Sequence, residues 1–217
     1  MTFKPQLFVL FLLVSLTSAN VQGATVTFDF NGLAGADLDD GTSMGTTSVT
    51  VDGITLNLTA ISQVDGVTAG TFNQNASPAP GNFGINAPGS TDSTDAVDGD
   101  EGIESILFSV TSSVPLSSLT LDTFDFDRIT NAGMDEGQLS FAGGSTINFT
   151  NNEVPDADLL AVNESITTGQ TFTLSFVAGN GFGLESLTFT ATAVAVPEPS
   201  SLGFLLLAAT GLFVRRR

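Results

Sequence analysis

TFTLSFVAGNGFGLESLTFTATAV, residues 171–194, alternates apolar and polar side chains on both sides of a glycine-rich centre. In the first half Phe172, Leu174 and Phe176 share one face, opposite Thr171, Thr173 and Ser175. In the second half Leu187 and Phe189 repeat the pattern, and Gly179-Asn180-Gly181 supplies a turn between the two. A side-chain period of two belongs to a strand, because successive Cβ atoms point to opposite faces. Thr, Val and Phe are the residues that pack best on a pleated, half-buried surface. The stretch therefore reads as two strands with one dry face each.

The same rhythm extends outward in both directions. TVTFDF (25–30) puts Val26, Phe28 and Phe30 on one side. SVTVDGITLNL (48–58) reads as two strands joined at Asp52-Gly53, a dipeptide that favours the two-residue hairpin turn. SILFSV (105–110) aligns Ile106, Phe108 and Val110, while SLTLDTFDF (118–126) aligns Leu119 and Leu121, then Phe124 and Phe126. QLSFAGGSTINF (138–149) is a further hairpin about Gly143-Gly144. No helical period interrupts this series. Eight or more short strands in about 170 residues predict an all-β fold, an antiparallel two-sheet β-sandwich of jelly-roll type. Its core is read as phenylalanine, since the chain has 18 Phe and neither Trp nor Tyr.

The ends have a different composition. At the start, Lys4 precedes an apolar run from Leu7 to Leu16 and then small and polar residues. This is the three-part layout of a secretory signal peptide, and the run is short for a bilayer span. Residues 1–23 are assigned to it, with cleavage after Gly23 preferred over cleavage after Ala19. The sandwich is expected over 24–195. Of the 23 acidic residues 22 lie in the domain, against a single base, Arg128. Such a charge repels nucleic acid and attracts cations.

One segment has no strand rhythm. Between Phe72 and Ile103, Pro, Gly and Asn give way to an acidic run, DSTDAVDGDEGIES (92–105). A loop of that length in a compact domain points to function or disorder. Asp95, Asp98, Asp100 and Glu104 are read as a calcium set, since calcium takes six to eight oxygen ligands. The spacing is not that of an EF-hand. The competing reading is a solvated acidic surface. Asp37, Asp39 and Asp40, and Asp122, Asp125 and Asp127, form weaker clusters. Asn-x-Ser/Thr sequons at Asn57, Asn75, Asn148 and Asn163 are read as chance in a chain rich in these residues.

The tail carries a motif. Val196-Pro197-Glu198-Pro199 is followed by Ser200-Ser201, an apolar stretch from Leu202 to Val214, and Arg215-Arg216-Arg217. This order of parts over 196–217 resembles the PEP-CTERM sorting signal. The resemblance implies a Gram-negative-type bacterial exporter in which exosortase, a membrane protease, recognises the Pro-Glu-Pro motif and processes the tail. It also implies delivery to the cell surface or an exopolysaccharide matrix. Independently of that resemblance, an apolar stretch this short makes a transmembrane helix of about 20 Å, shorter than the hydrocarbon core. The three arginines stay cytoplasmic and stop transfer. Left unprocessed, the same segment is a permanent anchor.

Side-chain chemistry narrows the function. The chain has no His, Cys or Tyr, and its one lysine is Lys4, so Ser-His-Asp, Ser-Lys and thiol mechanisms are excluded. Thiolate or imidazole zinc sites are excluded too. Carboxylate pairs of the glycosidase kind survive, but no Trp or Tyr stands ready to stack a sugar ring. The leading expectation is a non-catalytic exported surface or matrix protein. The alternatives are a calcium-dependent, lectin-like binder of exopolysaccharide and, third, a carboxylate glycosidase.

Overall fold

The computed structural model describes residues 22–30, 44–74, 83–88, 96–99, 102–127, 129, 134–150 and 159–195. The predicted signal peptide up to Val21, the Asp37–Asp40 cluster, Arg128 and the tail from Val196 onward lie outside them. Among the described residues the chain forms thirteen strands. They are β1 Gly23–Asp29, β2 Met44–Val51, β3 Ile54–Val64, β4 Val67–Thr68, β5 Thr71–Gln74, β6 Phe83–Asn86 and β7 Glu104–Ser112. The series continues with β8 Leu116–Asp127, β9 Glu136–Phe141, β10 Thr146–Thr150, β11 Leu159–Ser165, β12 Thr171–Ala178 and β13 Gly183–Ala193. All belong to one unit spanning Gln22–Val194.

The strands make two antiparallel sheets that together form a sandwich. One runs β11-β8-β13-β6-β5, with β1 also paired to β13; the other runs β10-β9-β12-β7-β3-β2, with β4 on β3. The predicted hairpin at Asp52-Gly53 is present: Val51 faces Ile54, and the two turn residues take φ of 49° and 76°. Those left-handed values are what a two-residue type I′ turn needs to match the strand twist. Asp65-Gly66 repeats the device between β3 and β4. The phase change between Leu121 and Phe124 is a β-bulge. Leu121 faces Phe189 and Thr123 faces Thr188, so Asp122 is the extra residue.

The two halves of 171–194 do not pair with each other. β12 lies between β7 and β9 in one sheet, and β13 lies beside β8 in the other. Residues 179–182 are thus a corner between sheets, and Phe182, fully buried, bridges to Val97. The dry faces of the two sheets meet in phenylalanine. Phe172 stacks on Phe108 with ring centroids 5.2 Å apart and meets Phe124 of the opposite sheet edge-on at 6.2 Å. Phe126 stacks on Phe149 across the same gap at 5.0 Å.

The segment 72–103, read above as lacking strands, requires correction. It contains the end of β5 and all of β6, paired so that Phe72 faces Ile85. Phe72, Ile85, Ala87, Ala96 and Val97 are all buried. Isolated apolar residues among Asn, Gly and Pro make no visible period, yet each is buried at one end of the sandwich core.

The connections differ between the two ends of the sandwich, although the short turns Asp65-Gly66 and 179–182 lie at the same end as the long ones. Asp52-Gly53, Ser113–Pro115, Ala142–Ser145 and Ile166–Gln170 are short and share one pole with the start of β1 and the end of β13. The segments 30–43, 87–103, 128–135 and 151–158 join strand ends at the other pole. These longer connections carry most of the acidic residues, whereas Asp52 is the one acid within the four short ones.

Candidate functional site

Of the four residues read as a calcium set, Asp98 and Glu104 are described; Asp95 and Asp100 lie outside the described residues. The fold brings the described pair together. Asp98 donates its backbone N–H to Glu104 Oε2 at 3.0 Å, and Glu104 donates its own N–H to the Asp98 carbonyl at 3.1 Å. Asp98 is 3% exposed and Glu104 has no exposed surface. A buried carboxylate is tolerated only where donors or cations compensate its lost hydration. The first chemical task of Glu104 is therefore a clasp that closes the backbone over 98–104.

Two further acids do comparable work and were not singled out from the sequence. Asp65, in the β3–β4 turn, accepts the Ile103 N–H on Oδ1 at 3.0 Å and donates its own N–H to the Ile103 carbonyl at 2.9 Å. Asp135, 1% exposed, accepts the Asn180 N–H at 2.7 Å and so ties the β12–β13 corner to the start of β9. Asp65 was findable, because Asp65-Gly66 is the same turn signal as Asp52-Gly53. Asp135 has no local signal, since its partner is 45 residues away.

The weaker cluster on β8 flanks the bulge. Asp122 accepts the Thr190 hydroxyl at 2.7 Å on the outer face, and Asp125 sits opposite Leu159 of β11. Among the described residues no group of three or more acidic side chains is placed to hold a metal ion. Asp98 and Glu104, the acids the fold links most directly, are both buried, so they do not offer a substrate the open cleft that a glycosidase pair needs.

The outer face of the second sheet has a different chemistry. Thr46 and Thr59, Ser48 and Asn57, Thr50 and Thr55, and Gln138 and Asn148 form cross-strand hydrogen-bonded pairs of 2.6–3.0 Å. These are neutral hydroxyls and amides on a strongly acidic protein, and two of the four sequon asparagines, Asn57 and Asn148, are among them.

What the fold defines is thus an antiparallel β-sandwich whose last strand runs directly into a motif-bearing tail. Residues 195–217 match the family described as the PEP-CTERM protein-sorting motif. The tail is an exosortase recognition signal, which marks the chain as an exported protein that exosortase sorts and processes. No curated protein and no solved structure matches the chain.

Proposed function

We propose that the protein is a passive component of the cell surface or extracellular matrix, delivered by a transient membrane tether that exosortase removes. The observation that carries this reading is the sorting motif at 195–217, attached to a domain in which Asp65, Glu104 and Asp135 hold the domain's own loops. In it, residues 1–23 take the chain across the inner membrane of a Gram-negative-type cell. The apolar segment 202–214 then holds it there, with Arg215, Arg216 and Arg217 on the cytoplasmic side. Val196, Pro197, Glu198 and Pro199 present the motif outside. The crossovers β7 to β8 and β12 to β13 support a jelly-roll-like winding.

The test compares the full chain with a Pro197→Ala/Glu198→Ala/Pro199→Ala variant in cells with and without exosortase. The native chain is expected as a shortened form released from the membrane only where exosortase is present. The variant is expected full-length and membrane-bound in both. Equal release of native and variant chains sinks the reading.

A second reading adds a ligand. Calcium held by Asp98 and Glu104, with Asp95 and Asp100, compensates two buried carboxylates and braces the acidic pole. Exopolysaccharide then lies along the neutral hydroxyl and amide face. The pairing of Asp98 with Glu104 and the charge-free ladders favour it. At ten times its dissociation constant, calcium is expected to stabilise the released form by about 1.4 kcal/mol. That is a rise in Tm of about 3–6 °C for a domain of this size. Glu104→Gln is expected to abolish the rise. A shift that sodium reproduces at matched ionic strength reduces the loop to charge screening.

A further inference from the structure

The last residue of the domain tied into the sheet and the first residue of the sorting motif are almost adjacent. Val194 donates its N–H to the Pro115 carbonyl at 2.9 Å, and Ala193 donates to the Gln22 carbonyl at 2.9 Å. Ser117 donates its hydroxyl to the Thr192 carbonyl at 3.2 Å. Only Ala195 and Val196 separate Val194 from Pro197. Three Cα steps span at most about 11 Å even when fully extended.

A protease that grips the motif together with two or three residues upstream of it in extended form reaches Val194, which is already part of the sheet. Its rim must then meet whatever surrounds the exit of β13. That surround is the short-turn pole: Ser113, Pro115 and Ser117 on one side, and Asp52-Gly53 on the other, all exposed. The pole suits a membrane-embedded partner in charge. Asp52 is the acid within its turns and Glu164, bonded to Ser145, lies beside them, while the longer acidic connections leave from the opposite pole. Anionic lipid heads therefore repel this end least.

We infer that the short-turn pole of the sandwich, framed by Ser113–Ser117 and Asp52-Gly53, is a docking surface for exosortase, which reads the folded domain as well as the linear motif. This rests on the processing reading above. The native chain and its motif variant serve as controls, so that failure of processing altogether is distinguishable from failure of docking.

The experiment follows processing of the full chain by pulse-chase in exosortase-bearing cells. Ser113→Arg/Ser117→Arg alters the pole. Val67→Arg, at a 65% exposed position in the β3–β4 hairpin near the opposite pole, is the matched control. Each is made with the native linker and with eight Gly/Ser residues inserted between Ala195 and Val196. Thermal unfolding of each processed product checks that the domain is intact. The pole variant is expected to be processed about ten-fold more slowly than the native chain. Val67→Arg is expected to match the native chain, and the spacer, which takes the pole out of reach, to abolish the difference between the native chain and the pole variant. Native-rate processing of the pole variant, or slowing that the spacer does not relieve, overturns the docking surface.

Discussion

Phe172→Ala is expected to lower the unfolding free energy by about 3–5 kcal/mol and Tm by about 6–20 °C. Phe172 is 1% exposed and stands where the two sheets meet. Its ring contacts Phe108 at 5.2 Å and Phe141 at 5.9 Å within its own sheet, and Phe124 at 6.2 Å and Phe189 at 6.4 Å across the gap. Truncation removes the transfer free energy of the ring and leaves a cavity lined by four other rings. Rings anchored on separate strands cannot all move in to close it. Thr173→Ala, one residue along and on the outer face, is the control and is expected within about 0.5 kcal/mol of the native protein. Chemical denaturation of the released form measures both. A loss below 1 kcal/mol for Phe172→Ala means that the core relaxes around the void and is not held by this hub.

How much of this was legible in the sequence depends on whether the information is local. The hairpin at Asp52-Gly53 was legible because the turn chemistry and the flanking alternation lie within a dozen residues. The slip between Leu121 and Phe124 was visible for the same reason, and the bulge at Asp122 is its structural meaning. A period of two says which side of a strand is dry but not which strand lies beside it. That is why 171–194, a pair of strands around a turn, turns out to contribute one strand to each sheet. The pairing that decides this is to residues 105–109 for β12 and to residues 116–127 for β13, far away along the chain. The strands β5 and β6 were missed because Phe72, Phe83 and Ile85 are isolated among turn-forming residues.

The site divides the same way. The tail motif is readable at once, since its parts follow one another along the chain. Asp98 and Glu104 were singled out together because they are close in sequence. Their geometry was hidden, because nothing in the spacing says that Glu104 spends an oxygen on the Asp98 N–H. Asp135 was hidden altogether, its partner being Asn180 across the corner. In each of these cases a carboxylate accepts from backbone N–H groups that a neutral side chain of the same size serves less well. A domain so rich in acids therefore uses some of them to order the long connections that carry the rest.

The corner itself yields the second large effect. Gly179 takes φ of 104°, and a Cβ placed there would lie 2.5 Å from Asp135 Oδ1, 2.6 Å from Asp135 Cα and 2.9 Å from Asp135 N. Most of that obstruction is backbone, which cannot rotate away. Gly144 takes a comparable φ of 92° in the β9–β10 turn, but a Cβ there would meet nothing within 4 Å. The two positions separate backbone strain from collision. Gly144→Ala is expected to cost about 1–2 kcal/mol, the penalty of a side chain at positive φ. Gly179→Ala adds displacement of Asp135 and loss of its bond to Asn180, and is expected to cost about 3 kcal/mol or more. Because that bond ties the corner to β9, the damage is expected to spread beyond the corner. Hydrogen exchange should then accelerate at Asn180 and Glu136 in the Gly179 variant but not in the Gly144 variant. Equal costs at the two glycines mean that the corner yields as freely as an open turn, and that Asp135 is not what holds it.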